Sequence, residues 1–313
     1  MKHVLSAWFA ALCLTLSAAT LPAATATAAE APMQPFVLAA AGPGDLAAKV
    51  AEVTAKLTGA GFQVAGSYSP YADATVIVVT SDALKAAAAK SKFGGYGAGQ
   101  RVSVTKVGDQ VQVAYTNPAY MAAAYRMDDD LAGTAAALAK ALGHEKEYGA
   151  AKEAMTADEL RKYHYMFGME YFTEPSTLNT FASHQAALDT VEKNLAAGLG
   201  GVTKVYRIDI PGREETVFGV AMDGGKGEGT MQDDAYIMGK IDFQPLRSTA
   251  HLPYEILVSG DTAYALYARF RIAINFPDLS MMGSNSFMSI MDSPATIERA
   301  LTRIAGGKVK KTP

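Results

Sequence analysis

VSVTKVGDQVQVAYTNP, residues Val102 to Pro118, reads as a β-hairpin with a stop at its end. Val102 and Val104 alternate on the first arm, Gly108-Asp109 makes the turn, and Val111 and Val113 alternate on the return. Asn117-Pro118 then ends the pairing, because proline has no amide proton to give the ladder. The same order recurs in YEILVSGDTAYALYARFRIAINFP, residues Tyr254 to Pro277. There Tyr254 to Val258 is one arm, Gly260-Asp261 the turn, Ala263 to Ile274 the return, and Phe276-Pro277 the stop.

Working outward from the two hairpins, the flanking elements also match. In the first copy, about Gly44 to Gly143, Asp45 caps a helix through Leu57 with Leu46, Val50, Val53 and Leu57 on one face. A strand from Phe62, a β-branched strand over Thr75 to Thr80 and a short helix over Ala83 to Ala89 precede the hairpin. A helix over Leu131 to Leu142 follows it. In the second copy, about Ser183 to Gly306, a helix runs from Ser183 through Leu195. Strands follow over Val202 to Ile210 and Thr216 to Met222, then a glycine-rich insertion, Asp223 to Thr230. The hairpin comes next, and a helix from Ser293-Pro294 through Ile304 closes the copy. Gly-Asp hairpins are common, so two unrelated α+β domains remain the alternative to a duplication.

The expected fold class is therefore α+β: two similar α/β-sandwich domains, each an antiparallel-rich sheet with helices on one face, forming an internal pseudo-dimer. The expected boundaries are a signal peptide over 1–28, a flexible segment over 29–43 and a first domain over 44–145. A connecting helical segment over 146–182, a second domain over 183–306 and a tail over 307–313 complete the chain.

The order helix, Gly61-Phe62 strand, buried strand, hairpin and Asn117-Pro118 resembles the bacterial family called domain of unknown function 302. That resemblance implies small α+β domains that pair, and hence two fused copies replacing a symmetric dimer. It implies no activity.

Lys2-His3, an apolar run from Val4 to Ala19 and Ala26-Thr27-Ala28 have the three-part form of a secretory signal, cleaved near Ala28. The expected location is periplasmic. Cys13, the single cysteine, falls within that segment, so disulfides, thiolate catalysis and cysteine metal ligands are excluded from the remainder. Net charge is −3 and the only basic cluster is Lys308, Lys310 and Lys311 at the C-terminus, which argues against nucleic acid as a partner. No later stretch suggests a membrane span. The expected partner is a small molecule or a periplasmic protein, and the expected state a monomer with its pseudo-dimer inside.

Between the copies, Thr156-Ala157-Asp158-Glu159 is a capping box, opening a helix expected to run to Phe172. It carries Tyr163, His164, Met166, Phe167, Met169 and Tyr171. One reading is a helix wedged between domains and buried nearly all round. The sharper one is a wall of a pocket for an apolar or amphipathic ligand at the domain junction, with those six residues as its lining. Arg269 and Arg271 alternate on an expected strand and would clamp a carboxylate if they face the junction.

Ten of the fourteen methionines lie from Met155 onward. Thioethers favour Cu(I), which makes Met166, Met169, Met288 and Met291 candidate copper ligands, or methionine with His164 a haem-handling pair. The plain alternative is methionine filling core gaps. No cofactor is specified. The chain lacks a Gly-x-Ser-x-Gly elbow, so no catalytic residue is assigned, and His251 is the one histidine worth testing for a hydrolase. Gly94 to Gly99 and Gly224 to Gly229 lack nucleotide-binding spacing and read as mobile loops. Asp128 to Asp130 read as a cap for the Leu131 helix rather than a Ca²⁺ site.

Overall fold

Two sheets carry the fold, and both are laid down in the same order. The structure, a computed structural model, describes residues 30–309; the expected signal peptide with Cys13 lies outside them, as do Lys310 and Lys311. The first repeat runs β1 (Phe36–Pro43), α1 (Leu46–Gly59), β2 (Gln63–Tyr71), β3 (Ala74–Thr80), α2 (Asp82–Ala89), β4 (Gln100–Val107), β5 (Gln110–Thr116), α3 (Pro118–Ala124), α4 (Ala132–Leu142) and β6 (Lys146–Tyr148). A short α5 (Ala157–Arg161) follows. The second repeat runs β7 (Ser176–Thr180), α6 (His184–Ala196), β8 (Val202–Asp209), β9 (Glu215–Met222), α7 (Asp234–Ile241), β10 (Tyr254–Ser259), β11 (Thr262–Ala265), α8 (Ala268–Asn275) and α9 (Ser293–Ile304).

The first sheet has the order β2-β3-β4-β5-β1-β6 and the second β8-β9-β10-β11-β7. Strand for strand these are one topology, antiparallel throughout, with β6 added at one edge of the first. The Gly-Asp hairpins anchor the correspondence. Val107 pairs Gln110 across Gly108-Asp109, and Ser259 pairs Thr262 across Gly260-Asp261. The molecule is α+β, and its two repeats pack into one unit that begins at Ala31.

Local chemistry explains the element ends. Asp45 accepts a hydrogen bond from the Ala48 amide at 2.8 Å, and Ser81 and Ser183 cap α2 and α6 in the same way. On α1, Val53 and Leu57 are buried against the first sheet, while Leu188, Val191 and Leu195 of α6 join the second core. The other faces of the sheets meet each other. Tyr206, Ile208, Val217 and Leu257 of the second sheet belong to the core built mainly by the first repeat.

Several expectations change. The 29–43 segment, expected to be flexible, contains β1, which pairs with both β5 and β6. Its sequence, FVLAAAGP, does not alternate, so only insertion between two partners makes it a strand. The 146–182 segment, expected to be helical, contains β6 and β7. The helix expected from Thr156 to Phe172 stops at Arg161. The capping box forms as read, but Gly168 sits at φ +79, and the aromatic run after it favours packing over helix. The return arm expected to extend to Ile274 ends at Ala265, and α8 begins at Ala268. The counterpart of Asn117-Pro118 is accordingly Tyr267-Ala268, since each pair opens a helix after the last hairpin strand. Gly94 to Gly97 is a buried 3₁₀ turn rather than a mobile loop. The Gly95 amide donates to Glu215 of the other repeat at 2.7 Å.

The repeats are joined by a buried charge cluster. Glu255 on β10 accepts from Arg101 of β4 at 3.2 Å and from the Tyr206 hydroxyl at 2.8 Å. Its second oxygen lies 3.5 Å from Arg271 of α8. Arg271 also donates to the carbonyls of Pro253 and His251 at 2.9 and 2.6 Å. Removing one member strands the rest in a low-dielectric interior. Glu255→Ala is expected to lower stability by roughly 3–5 kcal/mol, read as a drop in the urea midpoint. An unchanged midpoint would show that the cluster does not hold the halves.

A second point of contact involves the edge strands β2 and β8. Gly66 lies where any Cβ would run into the Val205 carbonyl. Gly66→Ala is expected to cost about 1–3 kcal/mol through overpacking. The same change at Gly133, whose Cβ would meet open space, is the control and should leave thermal unfolding near wild type.

Candidate functional site

The residue that sets the site is Asp242, at the C-terminal end of α7. Its carboxylate accepts from the Ser248 amide at 2.8 Å and from the Thr249 hydroxyl at 3.4 Å, which folds the 243–248 loop back over the helix end. Arg247 closes the loop by donating to the Asp242 carbonyl. The first repeat pins this loop from outside: Gln112 of β5 donates to the Pro245 carbonyl at 2.7 Å and accepts from the Arg247 amide at 3.0 Å. Tyr148 donates to the Arg247 carbonyl at 2.6 Å.

Across from the loop stands the 149–153 segment. Its shape is fixed by Asp278, whose carboxylate accepts from the amides of Ala151 at 2.6 Å, Lys152 at 3.1 Å and Glu153 at 2.9 Å. Gly149 precedes it at φ +115, a left-handed conformation that suits glycine. Between the two walls is a cleft of about 480 Å³. Ile241, Leu246, Phe276 and Leu279 give it an apolar lining, with Asp242 and Ser248 as polar groups. A second cleft of about 450 Å³ lies on the other side of Asp242 and Phe243, and it is more polar, with Tyr71, Thr105, Lys106 and Arg247 in its wall. Both clefts draw residues from both repeats.

Burial pushes the Asp242 carboxyl up to about 7, against the opposing pull of the Ser248 amide and the Arg247 charge. The neighbouring hydroxyls form a chain: Tyr71 and Thr249 are 2.8 Å apart, and Thr105 donates to Thr249 at 3.0 Å. Burial likewise raises the Tyr71 phenol to about 12, so it remains a neutral hydrogen-bonding group.

The residues anticipated for a ligand site do not gather in one place. Tyr163 and Arg269 line a small depression of about 60 Å³ beside Tyr165 and Phe287. His164 and Tyr171 face each other across an antiparallel bridge, rings 4.7 Å apart, with the His164 Nδ1 2.8 Å from the Met166 carbonyl. Met166 and Met169 end the turn between them, and Phe167 at its tip is 98% exposed. Phe167 therefore walls no pocket. Arg269 and Arg271 lie on α8 rather than a strand, and two residues apart on a helix they diverge. Arg271 is buried on Glu255, while Arg269 packs over Tyr267 and donates to its hydroxyl at 2.6 Å. The carboxylate that Arg271 meets is the protein's own. Met288 and Met291 lie in and just after a 3₁₀ turn near the start of α9.

His251 is fully buried between the rings of Tyr254 and Phe276, at 5.3 and 5.2 Å. Burial and the nearby guanidinium groups of Arg271 and Arg101 hold its imidazole well below the ordinary histidine range. It packs as a neutral core residue with no route to substrate. No group of three or more His, Asp or Glu side chains placed to hold a metal occurs among the described residues. No helix among them is long and apolar enough to cross a membrane.

Sequence reasoning missed Asp242, Leu246 and Phe276 as cleft residues. The available signal was Ile241-Asp242-Phe243-Gln244-Pro245-Leu246, apolar residues around an acid just before a proline, which marks a helix end turning into a structured loop. The chain matches no family model, and no curated protein or solved structure matches it.

Because the folded Asp242 carboxyl titrates above the ordinary carboxylate range, its contribution to stability is fully present in acid. It is lost as pH rises towards about 7. Asp242→Asn keeps an acceptor for the Ser248 amide and removes the buried charge. The stability of the variant relative to wild type should therefore rise by up to about 1.4 kcal/mol per pH unit between roughly pH 4 and 7, then level off. Urea titrations at pH 4.5, 6 and 8 read this; a gap that does not change with pH would show that Asp242 is not so buried.

Proposed function

We propose that this is an exported, non-catalytic binding protein whose ligand is a small amphipathic molecule seated in the apolar cleft beside Asp242. The single observation that carries the reading is the cleft itself. Its volume lies in the range of small-molecule sites, its lining is mainly apolar, and Asp242, Ser248, Gln244, Lys152 and Asp278 add polar groups to it. The junction of two fused repeats is a favoured position for such a site. The apolar body of the ligand packs between Phe276, Leu279, Ile241 and Leu246. A hydrogen-bond-donating head meets Asp242, which presents an acceptor oxygen whether or not it is protonated. Export is supported by the composition of residues 1–28 alone.

N-phenyl-1-naphthylamine, a fluorescent apolar molecule with one N–H donor, is a suitable probe. Saturable, one-site binding is expected. Leu246→Trp, which fills the cleft, should weaken it by roughly tenfold or more, and Asp242→Asn by a few-fold. Tyr163→Leu, in the separate depression, should leave it unchanged. Non-saturable binding, or equal binding by wild type and the Leu246→Trp variant, would remove the cleft as the site.

A further inference from the structure

The 279–291 segment, LSMMGSNSFMSIM, sorts its apolar residues by chemistry. Phe287 and Ile290 are buried and Leu279 is partly buried in the second core. Those left in water are all methionines: Met281, Met282, Met288 and Met291 are 50%, 74%, 51% and 57% exposed. A surface selected for hydrophobic docking alone would show aliphatic and aromatic side chains as well. Here the only exposed apolar side chains are thioethers, beside the exposed Ser280, Ser284 and Asn285, and no residue from Leu279 to Met291 carries a charge.

The backbone brings three of them together. The Phe287 amide donates to the Ser280 carbonyl at 2.9 Å and the Met288 amide to the Met281 carbonyl at 3.2 Å, so a backbone hydrogen bond joins Met281 to Met288 where the chain folds back. The Met291 amide donates to the Met288 carbonyl at 3.4 Å, at the end of the 3₁₀ turn Phe287–Ile290. In such a turn side chains three residues apart eclipse, about 6 Å along the axis. Long, unbranched methionine side chains close gaps of that size without backbone movement. Phe287 and Ile290, in the core, hold the scaffold. Tyr165 steadies one side by donating to the Met281 sulfur at 3.1 Å.

From this arrangement we infer a Cu(I) site formed by the thioethers of Met281, Met288 and Met291. Soft sulfur ligands select Cu(I) over harder ions. Of the two carboxylates that flank the segment, Asp278 is occupied by the backbone amides of residues 151–153; Asp292, next to Met291, is exposed, and as a hard oxygen ligand it suits Cu(I) less well than thioethers do. The site differs from the four-methionine set expected from spacing. Met281 replaces the Met166 and Met169 pair, which sits on the turn of the other segment. Binding here is coordination only, with no change in oxidation state, and it is independent of the cleft beside Asp242.

The test is an anaerobic titration of the purified protein with Cu(I) against the chromogenic chelator bicinchoninate. Wild type is expected to withdraw one Cu(I) per chain. The Met281→Leu/Met288→Leu/Met291→Leu variant, whose substitutions nearly conserve volume, should lose at least tenfold in affinity with an unchanged circular dichroism spectrum. Met166→Leu/Met169→Leu should bind as wild type does. X-ray absorption of the wild-type Cu(I) complex should show sulfur ligands alone, a reading that does not rely on any variant. Failure of wild type to compete, retention of copper by the triple variant, loss in the double variant, or a nitrogen or oxygen shell would each overturn the assignment.

Discussion

Two guanidinium groups and one carboxylate, all cut off from water, hold the two repeats in register. Glu255 comes from the second sheet, Arg101 from the first and Arg271 from α8. Each would be costly to bury alone, and each is tolerable only while the other two are in place. The consequence is geometric specificity. Apolar faces can slide over one another with little penalty, whereas the contacts of Arg101 and Arg271 with Glu255 form in one relative placement of the sheets. Tyr206, which reaches Glu255 at 2.8 Å, and Tyr125, which meets Arg101 at 3.4 Å, extend the constraint into the core they share, which is built mainly by the first repeat.

That fixed placement is also what makes the cleft. Gln112 and Tyr148 from the first repeat hold the 245–247 loop of the second, and Asp278 of the second holds the 151–153 segment that follows the first. Each wall is thus built by one repeat and braced by the other. The duplication is unequal here. Seven residues, Asp242 to Ser248, separate α7 from the 3₁₀ turn Thr249–His251, whereas only Lys90 to Phe93 separate its counterpart α2 from the matching turn Gly94–Gly97. The cleft lies beside the longer of these two loops.

Much of this architecture was legible in the sequence, and what was missed has physical causes. The paired Gly-Asp turns, the β-branched runs at Thr75 and Thr216 and the Asp45 and Ser183 caps are local signals, and they lie where they were read. β1 and β7 were missed because a strand that completes a sheet can be short or alanine-rich when its partners supply the pattern. The Tyr163 to Phe172 segment was misread as helix because a dense aromatic run satisfies helical spacing as easily as any other. Its structure is decided by the ring stack of Phe172 on Tyr125, 5.3 Å apart, in the core of the first repeat. The cleft residues were missed for a different reason. Asp242 and Phe276 are ordinary in isolation, and only the tertiary fold brings them to one wall.

The contact between β2 and β8 has a consequence of its own. Each is the outermost ladder of its sheet, the kind of rim that in a separate domain would recruit a second molecule. Covalent fusion supplies that neighbour within the chain, so the association is unimolecular and survives any dilution. Because the two rims belong to one chain, the halves need not be identical, and each contributes different residues to the clefts between them.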